Sequence, residues 1–457
     1  MSSTTRRTRS SYATPAVPIV AVAPPEVRLE AERRALGTGR AARPSVPTAR
    51  SVVLVCEAAS GGAGKHVVDL AERLPAYGYD VLLAYAPGRE GHGFAERVAR
   101  HREFGYEVLT VETGRSPELH DAVAVWELRR AMRRFGRGGR VDVLHGHSSK
   151  GGALARLARR DRARHVVYTP HAFYTMSPTL GRLPRAVYGG VERCLARWTD
   201  RIIAVSQAEV GHASTLGVDP ARVRLVENGI TVWSDREAEA RRAAARRRLG
   251  VADDEVLVGF LGRLAPQKAP DLALQVFTAV AEQHASVARL AGTRAEGLGA
   301  GRRIRFVLGG DGPDAARVRA QLAGTGMAER VQQVRDAIGA DLIPAFDVFL
   351  MTSRYESAPY ACLEALNAGA VIVTTDVGGV ASCVVDGETG YLVPAAGPEP
   401  WAEPTVVAAL AGRVGALCAF PERLRGFQRR ARAYAGRFAV EDMLARTVDV
   451  YRDLHGA

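Results

Sequence analysis

The sequence predicts an α/β protein of two doubly wound halves, each a parallel sheet covered by helices on both faces, with the halves facing each other across a cleft. Three observations predict it. Short apolar runs alternate with helical stretches from residue 51 onward, the same alternation restarts near residue 256, and glycine-rich or polar loops follow several of the runs. Continuous apolar runs are what parallel strands look like when both faces are buried, and ligands of such sheets gather outside the strands' carboxyl ends.

Residues 1–50 are rich in Ser, Thr, Pro, Arg and Ala without sustained apolar periodicity, which predicts a disordered tail. The first half, 51–235, opens with a strand at 52–55, a glycine loop, a helix over 65–74 and a second strand at 80–84. Further strands are expected at 141–144, 166–169, 201–205 and 223–226. A charged helical stretch at 236–249 begins the second half, 236–425, with strands expected at 256–260, 304–308, 348–351 and 371–374. The segment 422–454 reads as helical, with Phe438, Met443, Leu444, Val448 and Tyr451 on one apolar face, and 426–457 is expected to cross back to the first half.

A chain of 457 residues with 47% hydrophobic content can bury two cores. Lys and Arg total 62 against 49 Asp and Glu, a net charge of +13, so the field favours anions such as phosphorylated metabolites, acidic lipid or nucleic acid, among which charge alone does not choose; nucleic acid is not the expected partner. All but three of the basic residues are arginine, and an ammonium kept against that bias, at Lys65, Lys150 or Lys268, marks a place that needs a compact point charge. Cys56, Cys194, Cys362, Cys383 and Cys418 form no CxxC pair and are expected to be reduced and mostly buried. No run of roughly 18 apolar residues suits a membrane span, and Pro15 and Pro18 break the nearest candidate. A cytoplasmic enzyme is expected, with its basic first half available to the inner face of the membrane.

Five loops carry candidate chemistry. SGGAGKH over 60–66 joins a strand to a helix, where glycines permit close approach and free N–H groups attract phosphate. It is not a nucleoside-triphosphate loop, because Ala59 stands where glycine is needed and His66 where Ser or Thr is needed. HGHSSKGG over 145–152 offers polar groups to the cleft; no metal pair is expected of His145 and His147, which this reading assigns to opposite faces of the strand. TPHAF over 169–173 brings His171, able to bond a sugar hydroxyl or to be a satisfied core imidazole. GRLAPQK over 262–268 sets Arg263 and Lys268 five positions apart, where two cations can neutralise a leaving diphosphate. In the fifth loop Glu356 precedes Glu364, which is expected about two turns into the next helix.

GRLxPxK, GGDGP, the two glutamates and TDVGG over 375–379 occur in one order, and the chain resembles the retaining GT-B glycosyltransferases of family 4 over about 52–454. That resemblance implies two Rossmann-like domains and transfer of a hexose-type sugar from a UDP- or GDP-linked donor, with no metal and no other cofactor. It assigns Arg263 and Lys268 to the diphosphate, Glu364 to the ribose, Glu356 to the transferred sugar and His171 to its hydroxyls. It brings Gly61 and Gly62 to the donor from the other half and Ser357, Ala358, Pro359 and Tyr360 into the donor loop. Val334, Arg335 and Asp336 would border the base. Two departures stand out: Ala269 replaces a common glycine, and Ser357-Ala358 replaces a glycine followed by a larger apolar residue. The resemblance to polysaccharide-assembly members implies a lipid-linked saccharide acceptor; a small soluble acceptor, or a non-catalytic nucleotide-sugar regulator, are the alternatives.

Overall fold

Residues 49–88, 90–114, 118–291, 302–335, 338–395 and 404–456 are described in the computed structural model. The expected N-terminal tail lies outside them, except that Arg50 is already the first residue of a strand.

The first sheet is built from β1 (Arg50–Cys56), β2 (Tyr79–Tyr85), β3 (Glu107–Thr110), β4 (Val141–His147), β5 (Ala163–Thr169), β6 (Arg201–Ala204) and β7 (Val223–Leu225). They stand in the order β3-β2-β1-β4-β5-β6-β7, all parallel. In β1 the side chains alternate between two buried layers. Val52 and Leu54 pack with Val67 and Leu70 of the helix Gly61–Arg73, whereas Val53 and Val55 pack with Leu128, Met132 and Leu154 on the other face. Burial on both faces is why VVLV is unbroken by a polar residue.

The second sheet contains β8 (Val256–Leu261), β9 (Ile304–Gly309), β10 (Val331–Val334), β11 (Val348–Met351), β12 (Val371–Asp376) and β13 (Gly390–Pro394). Their order is β10-β9-β8-β11-β12-β13, again parallel throughout. Both sheets therefore reverse direction of growth beside their first strand, between β1 and β4 and between β8 and β11, which is where open α/β sheets form a crevice.

Strands β3, β10 and β13 were not expected. All three lie at sheet edges, and β3 and β10 are four residues long with part of each exposed, so neither has the apolar run of a covered strand. Val334, expected in a loop, is the last residue of β10 and pairs with Gly309.

A helix at Asp235–Leu249 begins with a capping box, Ser234 and Glu237 each bonding the other's backbone. Two helices, Pro421–Ala435 and Val440–His455, replace the single helical segment expected near the C-terminus. The second packs Met443, Leu444, Val448 and Tyr451 into the core of the first sheet beside Val52 and Leu54. Its entry is clamped where Ile230 N donates to Phe438 O and Val440 N to Ile230 O, each at 2.8 Å. Four cysteines are buried and Cys194 is exposed. Among the described residues no single helix is long and apolar enough to cross a membrane.

Candidate active site

Loops at the carboxyl ends of both sheets meet. On the side of the second sheet, the loop after β8 lies against the one after β9: Gly262 N donates to Gly309 O at 3.1 Å and Leu264 N to Asp311 O at 2.9 Å. This loop turns through Ala269, whose φ is +47°, the left-handed region that glycine enters without strain. The departure from the usual glycine is therefore a conformational one. Thr352 Oγ1 holds the turn by donating to Lys268 O at 3.1 Å and Ala269 O at 2.9 Å.

Lys268 is thereby placed with its Nζ on the carboxylate of Glu356, which is 8% exposed. Arg263 is exposed, with no ion pair or hydrogen bond among the described residues. Two cations thus stand at the loop, one shared with a carboxylate and one open to an incoming anion. Gly378 and Gly379 lie directly on the Glu356 loop: a Cβ on Gly378 would sit 1.7 Å from Glu356 O, and one on Gly379 1.6 Å from Ser357 O. No side chain fits there.

Glu364 is the fifth residue of the helix Tyr360–Ala368, nearer its start than expected. It is half-buried, and no hydrogen bond reaches its carboxylate among the described residues. Burial raises its carboxyl to about 7, with Lys65 opposing the rise and Asp69 adding to it. Gly339, beyond β10, approaches so closely that a Cβ there would lie 2.0 Å from Glu364 Oε2. Arg335 is exposed at the end of β10, and Asp336 lies outside the described residues.

The side of the first sheet is furnished with imidazoles. His145 is fully buried and satisfied, Nδ1 against Tyr451 Oη at 2.6 Å and Nε2 against Thr169 Oγ1 at 2.8 Å. The rings of His145 and His147 lie 4.0 Å apart on the same face; the expectation of opposite faces is wrong, because residues two apart on a strand share a face. His147 Nδ1 meets His171 Nε2 at 3.2 Å, and His66 Nδ1 meets Asn228 Oδ1 at 3.1 Å. The Nε2 atoms of His66 and His147 are buried with no hydrogen-bond partner among the described residues. Burial lowers His66 to about 4 and holds His145, His147 and His171 well below the ordinary histidine range, so all four are neutral at neutral pH. Ligand nitrogens of His66, His147 and His171 lie within 4.8 Å of one another, a group among the described residues that could receive a divalent cation.

His171 and Ala172 both have positive φ, +51° and +82°, two consecutive non-glycine residues in a region L side chains rarely adopt. Glu209 holds them. Its Oε1 accepts from Ala172 N at 2.5 Å and from Ser357 Oγ, and its Oε2 from Val205 N at 2.9 Å. Burial lifts this carboxyl, and the bonds from Ser357, Val205 and Ala172 pull it back. One buried carboxylate thus ties the His171 turn to the Glu356 loop. Asn228 spans the same divide, donating from Nδ2 to Ala358 O at 2.9 Å, and Tyr360 Oη lies 3.5 Å from His66 Nδ1.

Of the residues expected in the donor loop, Ser357 and Tyr360 turn their side chains toward the first half, and Pro359 caps the helix. Gly62 faces Tyr360 so closely that a Cβ would lie 2.8 Å from the ring, while Gly61 is exposed with φ +64°. Lys65 sits 3.4 Å from Asp69 and 5.5 Å from the Tyr360 ring centroid. Lys150, by contrast, bonds Gly114 O and Asp121 away from this group. Glu209 and Asn228 were missed as site residues. The S-x-x-E spacing of Ser206 and Glu209 could have marked a helix start, and Ser206 does cap Glu209 N at 3.3 Å, but that spacing does not reveal that the carboxylate serves other backbone groups.

Residues 60–233 match the model of Glycosyltransferase Family 4, and residues 241–404 match that of Glycosyl transferases group 1. The chain belongs to the GT-B glycosyltransferases of family 4. It is 32% identical over 322 residues to a D-inositol 3-phosphate glycosyltransferase of Geodermatophilus obscurus, covering 68% of this chain and 65% of that relative, just under two thirds of its length. A protein of the same name from Streptomyces scabiei is 28% identical over 426 residues, 86% of each chain. The solved structure of Anabaena Alr3699/HepE in complex with UDP and glucose superposes with a TM-score of 0.66 over 88% of this chain and 100% of that one, at 18% identity, a likeness of fold. The first matched segment ends at residue 233, just before the helix Asp235–Leu249, and the second begins at residue 241 within it.

Proposed function

We propose that this family 4 chain transfers a hexose-type sugar from a UDP- or GDP-linked donor to a hydroxyl acceptor, with retention of configuration and without a metal. The observation that carries this reading is the Lys268–Glu356 ion pair beside exposed Arg263, on a loop that Glu209 ties through Ser357 to the turn carrying His171. The cations neutralise the diphosphate as the C1–O bond to phosphate breaks, the step at which negative charge grows. Glu364 accepts from the ribose, Glu356 faces the sugar, and neutral His171 bonds its hydroxyls. The acceptor oxygen bonds to C1 from the same face, and its proton passes to the departing phosphate oxygen.

The surplus of positive charge, +13 over the chain, favours an acceptor that carries phosphate, and a lipid-linked saccharide of polysaccharide or glycoconjugate assembly is the acceptor proposed. The name D-inositol 3-phosphate glycosyltransferase, borne by the relatives, supplies a soluble phosphate-bearing alternative for the same screen. Nucleotide release is measured across UDP- and GDP-sugars with and without EDTA, followed by lipid-diphosphate saccharides and inositol phosphate as acceptors. One donor family should turn over unaffected by EDTA. Failure of every donor to bind or react defeats the reading and favours a regulator; turnover abolished by EDTA defeats its metal-free form.

A further inference from the structure

The helix Arg182–Ala196 follows the loop that carries His171 and stands out from the first half: of its fifteen residues only Gly189 and Leu195 are buried. Leu183, Val187 and Val191 are 76%, 56% and 47% exposed. At spacings of four they form one stripe along the helix, and Cys194, also exposed, falls on the same face. Aromatic rings border the stripe. Tyr188 and Tyr174 meet edge to face at 4.8 Å, both exposed, and Trp198 is exposed just beyond the helix end. Nothing in the rest of the described chain covers these side chains, although contiguous exposed apolar surface on a folded chain is a mark of an interaction site.

Charge identifies the partner. Arg182, Arg193 and Arg197 are exposed along one flank of this face, while Arg185, on the far side of the helix, is held by Ser177 O at 2.7 Å and Leu180 O at 3.0 Å. The one acid between residues 174 and 199, Glu192, is occupied by Arg156 at 2.8 Å and Tyr168 Oη at 3.2 Å. A protein groove would be matched by mixed charge; an apolar stripe with Tyr and Trp at its border and only arginine beside it suits the boundary between acyl chains and anionic headgroups, where guanidinium stems snorkel.

We propose that the helix Arg182–Ala196 docks on an anionic lipid surface, with Leu183, Val187 and Val191 entering the headgroup boundary and Arg182, Arg193 and Arg197 holding phosphate. His171 lies eleven residues before the helix, so docking sets the cleft beside the headgroups, where a lipid-linked acceptor presents its sugar. That last consequence rests on the proposed transfer reaction; the docking itself does not.

The full-length protein is sedimented with vesicles of phosphatidylcholine alone and with one third phosphatidylglycerol, and Cys194, the exposed cysteine, carries an environment-sensitive dye. Binding to the anionic vesicles with a blue shift of the dye is expected. L183E/V187E should lose at least about ten-fold in vesicle affinity, and R182Q/R193Q/R197Q should lose the preference for anionic lipid. Both variants should keep the melting temperature and donor hydrolysis of the parent. Equal vesicle binding by parent and L183E/V187E overturns the proposal, as does absence of binding to either vesicle. A concentration-dependent dimer abolished by L183E/V187E overturns it too, by assigning the face to a second copy. A parent that binds vesicles yet releases nucleotide from no donor sinks the transfer reading and leaves the docking intact.

Discussion

The two sides of the cleft solve different chemical problems. On the second sheet's side the polar groups are charged or titratable: exposed Arg263, Lys268 paired with buried Glu356, and half-buried Glu364. On the first sheet's side they are four imidazoles held neutral by burial, bonded to each other, to Tyr451, to Thr169 and to Asn228. A diphosphate needs compensating charge at the moment its bond breaks; a sugar's hydroxyls need donors and acceptors that bring no competing charge. Glu209 belongs to neither class, since its carboxylate joins the two.

The comparison breaks first if the cations are dispensable. Lys268→Ala or Arg263→Ala should each lower kcat by about 10²–10³-fold, about 3–4 kcal/mol of transition-state stabilisation, with Lys268→Arg recovering part of it. Steady-state kinetics with the active donor checks this, and a loss under ten-fold would move the diphosphate elsewhere.

The imidazole side should fail in acid before the ionic side does. His66 titrates near 4 in the folded chain against 6.5 in the unfolded one, so the unfolded state takes up the proton first. Stability is full above pH 6.5 and is lost as pH falls from 6.5 toward 4, by at most about 3 kcal/mol for His66. Denaturant titrations at pH 8, 6 and 5 should show that decline, and His66→Asn should remove part of it.

Glu209 sharpens the contrast between positioning and contact. Glu209→Ala frees the Ala172 turn and should cut kcat about 30-fold, within the range that small misplacements cost, while affinity for the active donor's nucleoside diphosphate by calorimetry stays within about three-fold. An equal fall in nucleotide affinity would make Glu209 part of the donor site rather than a tie between loops.

Smaller effects follow on the ionic side. If Glu364, raised to about 7, holds the ribose as proposed, its bond to the hydroxyls strengthens as it ionises, so affinity for the active donor's nucleotide should rise between pH 6 and 8 by up to about ten-fold, and Glu364→Gln should flatten that rise. Ala269→Gly relieves the positive φ and forfeits a buried methyl; a net gain in stability under about 1 kcal/mol is expected, read from the urea midpoint.

Much of the fold was legible because covered parallel strands advertise themselves as apolar runs. VVLV at 52–55 and the run at 348–351 each lie at the heart of a sheet. The edge strands β3 and β10 were not legible, since half-covered four-residue segments need no such run. The charged loop residues were visible for a related reason: Arg263, Lys268 and Glu356 follow strands directly, so the local pattern alone puts them at a carboxyl end.

What the sequence by itself determined is therefore local: the βαβ alternation, the loops that close it and the cations those loops carry. Tertiary structure alone decided which side chains meet. Glu209 and Ser357 are 148 residues apart, His66 and Tyr360 are 294, and His145 and Tyr451 are 306. No periodicity spans such separations, because a contact between two sheets depends on how whole layers pack, and a polar atom's partner is settled only when burial removes water as the alternative.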